Sequence, residues 1–285
     1  MEKCITCFAC EEFCPHDAHP FDLILERMEA QGKKPASESV IQAGAARYLS
    51  KEAYVPPAIS GTVMSGCVFP KTHPHLFQGP LFDDVTLLKG RPVFCYILFY
   101  HMGDRKVLAD RVADTVANLE KTGAEEIVFF HDDCYALVAN IAPRLGIKVN
   151  FHPVHLVEYM RDWLRQNQSR VKPLGIDIAY QRPCASRYSP QKEGQVDEIF
   201  DLIGARRVSR RFDREDALCC GGAVFLTRGT MPAEIQQKNL RDAQEKGAQE
   251  LVCLCPICVD MLKPEADKMG MKLTSIVEIV QRVIK

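Results

Sequence analysis

Residues 250–258 read E-L-V-C-L-C-P-I-C, and residues 126–134, 124 positions earlier, read E-I-V-F-F-H-D-D-C. Each begins as a short apolar run of strand length and ends in a cysteine. The same offset sets Cys95 on Cys219, Gly123 on Gly247, Ala124 on Ala248 and Gly146 on Gly270 without a gap. With a four-residue adjustment, L-V-E-Y-M (156–160) falls on I-V-E-I-V (276–280). Self-similarity of this kind signals two copies of one structural unit.

Within the second copy, apolar runs alternate with helical patterns. Strands are predicted at G-I-D-I-A-Y (175–180), R-R-V-S-R-R-F (206–212) and E-L-V-C-L-C (250–255). Helices are predicted at 195–203, 232–246 and 275–284, where apolar residues recur at helical spacing. In the first copy, V-F-C-Y-I-L-F-Y (93–100) reads as a buried strand. Alternating strands and helices give an α/β fold with mainly parallel sheets, whose carboxyl edges are where ligands bind. Cys184, the pair Cys219–Cys220, and Cys255 with Cys258 all fall at or just after predicted strand ends. Five thiols can therefore converge. Two neighbours in a strand point to opposite faces, so Cys219 and Cys220 can share a partner only if the chain turns, which Gly221 and Gly222 permit.

A chain of 285 residues accommodates two or three domains. A net charge of -1 offers no basic field for nucleic acid. No apolar run reaches membrane-spanning length, so membrane association is expected only through a partner. The chain starts M-E-K-C without a secretory pattern, which predicts a cytoplasmic protein. There, 13 cysteines read as metal ligands or redox thiols rather than a disulfide framework.

The segment C-I-T-C-F-A-C-E-E-F-C-P (4–15) has the C-x2-C-x2-C-x3-C-P spacing of a [4Fe-4S] cubane site, for which a zinc knot would want two separated cysteine pairs. Cys4, Cys7 and Cys10 are assigned to it. In two-cluster ferredoxins the fourth cysteine serves the other cluster, so either Cys14 completes this cluster, or a remote cysteine such as Cys67 does, or a second ferredoxin motif lies elsewhere in the complex. F-D-L-I-L-E-R-M-E-A (21–30) and E-S-V-I-Q-A-G-A-A-R-Y-L (38–49) read as helices. The expected organisation is a small helical ferredoxin-like module (1–50) followed by two α/β units (51–170 and 171–285).

For the five thiols of the second copy, zinc saturates at four ligands and a vicinal Cys219–Cys220 disulfide would leave three cysteines unexplained. An iron–sulfur cluster accounts for all five, with a Cys4 zinc site as the alternative. Cys184, C-C-G at 219–221 and C-P-I-C at 255–258 resemble the CCG domain, and a ferredoxin-type module followed by two such units is similar to heterodisulfide reductase catalytic subunits and their relatives. The resemblance implies a noncubane [4Fe-4S] cluster held by Cys184, Cys219, Cys220, Cys255 and Cys258, with Cys219 and Cys220 at the catalytic position. In the first copy, Tyr96 replaces Cys220 and His131 replaces Cys255, so a five-thiolate cluster is not expected there. Cys67, Cys95, His131 and Cys134 are then either a Cys3His site for zinc or another metal, or a retired site whose cysteines pack as small hydrophobes.

Cys253 reads as core. The basic run at 206–211 reads as solvated surface or a docking site for an acidic partner or anionic substrate, and His73 and His75 read as loop residues. With no phosphate-binding glycine loop, flavin or nicotinamide belongs on another subunit. The expected function is an enzyme subunit, a heterodisulfide reductase-like oxidoreductase. It takes electrons from flavin- or iron–sulfur-bearing redox subunits, through the cubane, to the noncubane cluster, where a disulfide or related sulfur substrate is reduced. The alternatives are an electron relay between a dehydrogenase and a quinone or other carrier, and a zinc-stabilised scaffold.

Overall fold

The structure, a computed structural model, describes residues 4–16, 18–50, 53–228 and 232–285. Residues 1–3, part of the chain start used for the compartment expectation, lie outside them. The N-terminal segment forms α1 (Ala9–Phe13), α2 (Pro20–Ala30) and α3 (Glu38–Tyr48). Pro20 opens α2, where its missing N–H costs nothing, and Phe21, Leu25 and Met28 bury one helical stripe.

The first repeat runs β1 (Thr62–Cys67), α4 (Phe69–Thr72), β2 (Val85–Lys89), α5 (Leu98–His101), α6 (Arg105–Glu120), β3 (Glu126–Phe129), α7 (Asp132–Ala136), α8 (Ala142–Arg144), β4 (His152–His155) and α9 (Leu156–Gln166). The second runs β5 (Ile176–Gln181), α10 (Glu193–Leu202), β6 (Ala205–Arg207), α11 (Gly222–Arg228), α12 (Ala233–Glu245), β7 (Glu250–Cys253), α13 (Pro256–Met269), β8 (Lys272–Ser275) and α14 (Ile276–Val283). Each forms a four-stranded, all-parallel sheet, in the orders β2-β1-β3-β4 and β6-β5-β7-β8. The fold is α/β.

The repeat is visible in detail. β3 and β7 sit 124 residues apart and pair with β4 and β8 in equivalent register, Phe129 opposite His155 and Cys253 opposite Ser275. Both final helices open with a capping box: His155 with Glu158 on α9, and Ser275 with Glu278 on α14. A single apolar core runs from Phe8 in the N-terminal segment through both repeats to Val283, with a smaller cluster around Leu240, Leu251 and Leu262.

Three expectations need correction. Residues 93–100 are not a strand: Tyr96 takes a left-handed φ of 59° and Leu98–His101 is helical. Nearly every residue of that run is buried, which removes the periodicity that separates strand from helix. In the basic run only Ala205–Arg207 is extended. Arg207 turns inward to Asp213, Glu193 and Asp197, and Arg210 donates to Asn239 and the Tyr180 carbonyl, whereas Arg206 and Arg211 are exposed, so only part of this run forms a solvated face. Cys219 and Cys220 lie well beyond the end of β6, on the loop that enters α11, rather than at a strand end. Among the described residues, no helix is long and apolar enough to cross a membrane.

Candidate metal-cluster site

β3 and β7 deliver His131 and Cys255 as the residues that start α7 and α13. The two side chains meet: His131 Nε2 lies 3.0 Å from Cys255 Sγ. The carboxyl edges of the two sheets therefore face each other, and the thiols of the second repeat line that junction.

Those thiols form a chain. Cys184 Sγ lies 3.7 Å from Cys219 Sγ. Cys219 and Cys258 both hydrogen-bond Cys220, and Cys258 also hydrogen-bonds Cys255. The turn at 219–222 is what allows neighbouring thiols to share one space. Gly221 has φ 90°, and a Cβ there would lie 2.0 Å from Pro232 Cγ. The Gly221 and Gly222 N–H groups donate back to Cys219 Sγ and Cys220 Sγ, at 3.3 and 3.5 Å.

Ionisation is uneven along the chain: although the contact with Cys184 lowers it, the hydrogen bond to Cys220 and burial hold the Cys219 thiol well above the ordinary range. Hydrogen bonds from Cys219 and Cys258 bring the Cys220 thiol down to about 6. Burial pushes the Cys255 thiol up, but the Cys258 hydrogen bond and the charge and hydrogen bond of His131 outweigh it, leaving it at about 6. Cys184 and Cys258 are held well above the ordinary range, first by their hydrogen bonds to neighbouring thiols and then by burial. None of the thirteen cysteines is in a disulfide, so no Cys219–Cys220 disulfide forms. Buried thiolates without compensating cations are costly, and a donor row with two sulfurs poised to ionise fits a metal cluster. It is also longer than one tetrahedral ion, whose sulfur ligands sit about 3.8 Å apart given Zn–S near 2.3 Å.

The first repeat differs. Cys67, Cys95 and Cys134 are buried with all three sulfurs within 4.8 Å of one another, compact enough for a single ion. His131, expected as their fourth partner, instead groups with Asp132 and Cys255. The reason is its place at the start of α7, with Phe69 packed against its ring at 4.6 Å, which aims it across the junction. Tyr96 occupies the place of Cys220, its hydroxyl donating to the Tyr48 carbonyl at 3.1 Å. Cys67 and Tyr96 both hold left-handed backbone, a strain that residues other than glycine rarely bear.

In the N-terminal segment burial, then Glu11, Cys7 and Cys4, push the Cys10 thiol up to about 11, and Cys14 lies at the far end of α1. This segment docks beside the second repeat. Glu12 pairs with Arg182 and Arg187, the residues flanking Cys184, and the charge of Cys7 is among those that raise the Cys184 thiol.

Several participants have no counterpart in the sequence reading. Asp132 and Asp133 interact electrostatically with Cys95 of one thiol site and Cys255 of the other; burial, ahead of nearby charges, pushes both carboxyls up to about 7. Neither oxygen of Asp132 has a hydrogen-bond partner. The available signal was the alignment of H-D-D (131–133) on C-P-I (255–257). His73 lies just past α4 in the loop, as expected, and reaches Asp260 of α13 at 3.1 Å, while His75, in a 3-10 turn, approaches Glu278 at 3.9 Å. Cys253 is wholly buried in the smaller core, as expected.

No curated protein sequence matches the chain. Among solved structures, a hypothetical protein from Helicobacter pylori is similar over 85% of this chain and 53% of its own, at 13% identity and TM-score 0.53, which concerns the fold alone. This chain thus spans about half the length of that protein. Glutamate racemase from Francisella tularensis aligns over 78% of both chains at 12% identity and TM-score 0.41, and glutamate racemase from Campylobacter jejuni over 78% of this chain and 82% of its own at 10% identity and TM-score 0.36. Residues 178–263, which include Cys184, Cys219, Cys220, Cys255 and Cys258, match the family model of the CCG cysteine-rich domain, so the chain carries a CCG domain.

Proposed function

We propose that this chain is an iron–sulfur oxidoreductase subunit that passes electrons from a redox partner to a disulfide or related sulfur substrate, in the manner of heterodisulfide reductases. The observation that carries the reading is the adjacency of two thiol sites: the cysteine-rich loop at 4–10 lies against Cys184 of the CCG site, latched by Glu12 on Arg182 and Arg187. Cys4, Cys7 and Cys10 would hold a [4Fe-4S] cubane, and Cys184, Cys219, Cys220, Cys255 and Cys258 a noncubane [4Fe-4S] cluster; Cys67, Cys95 and Cys134 suit zinc or another single ion. When bound, the two clusters supply one-electron carriers for the two electrons that, with two protons, turn a disulfide into two thiols.

The residues have separable roles. Cys220 and Cys255, poised to ionise, are donors of choice for iron, and the N–H groups of Gly221 and Gly222 steady Cys219 and Cys220. The buried carboxyls of Asp132 and Asp133, pushed up to about 7 chiefly by burial, give the junction protons near neutral pH. The relay reading draws support from burial, since Cys219, Cys220, Cys255 and Cys258 are all buried and Cys184 alone is partly exposed.

Iron and acid-labile sulfide analysis of the anaerobically reconstituted chain tests the cofactor assignment, with about eight irons expected for two [4Fe-4S] clusters. Turnover of a thiol–disulfide substrate by the chain with its redox partner then separates the two readings. Full iron without disulfide turnover would favour the relay, and stoichiometric zinc with fewer than about three irons would reject both.

A further inference from the structure

His131 stands where the second repeat has Cys255, yet it serves the second repeat rather than its own. Its Nε2 faces Cys255 Sγ at 3.0 Å and Asp132 Oδ1 at 3.6 Å, both acceptors, while Nδ1 faces Asp133 Oδ2 at 3.7 Å. A metal-bound Cys255 thiolate can only accept, so this contact then calls for the proton on Nε2, pointing at the sulfur. Phe69 holds the ring from the side, and the side chain is 7% exposed, so little water competes for this bond.

We propose that His131 is a positioning residue for the CCG cluster, donating across the repeat junction an N–H···S hydrogen bond that raises the cluster's reduction potential. The proposal rests on the reading of Cys255 as a cluster ligand. Hydrogen bonds to ligand sulfurs are among the factors that set iron–sulfur potentials, because a donor draws electron density from the sulfur and stabilises the reduced state. Loss of the donor should therefore make reduction harder. The first repeat gives up a ligand of its own at this position and supplies the second with a tuning group, which explains why two copies of one unit are retained although only one has the complete thiol set.

EPR-monitored redox titration of the full chain, with His131→Leu and His131→Gln beside the parent, tests the proposal. His131→Leu should lower the potential of the CCG cluster by an amount equal to about tenfold in its one-electron reduction constant, some 59 mV. His131→Gln, which can still present an N–H, should stay nearer the parent. The N-terminal cluster is the internal control and should not move. If His131→Leu fails to take up the CCG cluster while His131→Gln takes it up at the parental potential, the donor role also stands. Unmoved potentials in both variants with full iron content would overturn the proposal, as would equal shifts of both clusters. A parent chain that takes up only the N-terminal cluster would instead fail the ligand reading itself, and the tuning role with it.

Discussion

Glu12 accepts hydrogen bonds from Arg182 Nη1 at 2.9 Å through both carboxylate oxygens, and Oε2 takes a further one from Arg187 Nη1 at 2.6 Å. Both guanidinium side chains are almost fully buried, at 2% and 5% exposure. A salt bridge in such a place is weak evidence for net stability, but removing one partner leaves buried charge uncompensated, a loss of about 3–5 kcal/mol.

Glu12→Ala should therefore destabilise the chain by about 3 kcal/mol in urea unfolding, while the exposed pair Lys106–Asp110 should lose less than about 1 kcal/mol when broken. Because Glu12 also fixes α1 beside Cys184, electron transfer between the two proposed clusters should slow in the variant. A loss as small as that of the exposed pair would show that α1 is held by its apolar contacts instead.

The two capping boxes make a pH prediction. His155 accepts from the Val157 N–H through Nδ1 at 3.1 Å, which requires the neutral ring, and burial, reinforced by Lys192, lowers its pKa from 6.5 to about 3. Protonation thus favours the unfolded chain: the contribution is intact above about pH 6.5 and is lost as pH falls toward 3, by about 1.4 kcal/mol per pH unit. His155→Asn keeps a capping oxygen and has no proton to gain. It should cost about 1–2 kcal/mol at pH 7 from lost packing against Tyr135, yet lose less stability than the parent between pH 6.5 and 5. Parallel slopes in unfolding measured across that range would contradict the assignment.

At the turn before α11, Gly221 and Gly222 should respond differently to alanine. Gly221 combines a φ of 90° with a Cβ position 2.0 Å from Pro232 Cγ, whereas at Gly222 the nearest atom, Ile257 Cγ2, lies at 3.2 Å and the backbone is unstrained. Gly221→Ala should cost about 2–3 kcal/mol and disrupt metal uptake by Cys219 and Cys220, and Gly222→Ala should cost under about 1 kcal/mol. Equal effects in thermal unfolding and iron content would show that the turn adjusts more freely than its contacts imply.

What the sequence made legible follows from which signals are local. Strand runs bounded by glycine and the 124-residue offset between β3 and β7 survive in the chain as patterns, so the α/β class and the repeat could be read directly. Burial on all sides erased the pattern at 93–100, and the inward turn of Arg207 within 206–211 is hidden because Glu193 and Asp197 come from α10. The thiols were found because cysteine spacing is chemical as well as structural. Alignment offers His131 as one candidate ligand of its own repeat, because it locates a residue along the chain but not the direction of its side chain across an interface, and that direction depends on Phe69 and on how the two sheets meet.

Cys220 and Cys253 offer the sharpest contrast within the CCG domain. Both are buried cysteines, but Cys220 touches two other thiols and is brought down to about 6 by them, whereas Cys253 is pushed well up, chiefly by burial within the smaller core. Replacing Cys220 with serine exchanges a soft, readily ionised donor for a hard hydroxyl. Cys220→Ser should lose about four of about eight irons and the EPR signal of the second cluster, leaving that of Cys4, Cys7 and Cys10 intact. Cys253→Ala removes only a sulfur from the core, so it should retain all the iron and lose about 1–2 kcal/mol of stability. Disulfide turnover should vanish in the first variant and persist in the second. Full turnover by Cys220→Ser despite a lost second signal would remove the CCG site from the reaction, and iron loss in Cys253→Ala would redraw the ligand set.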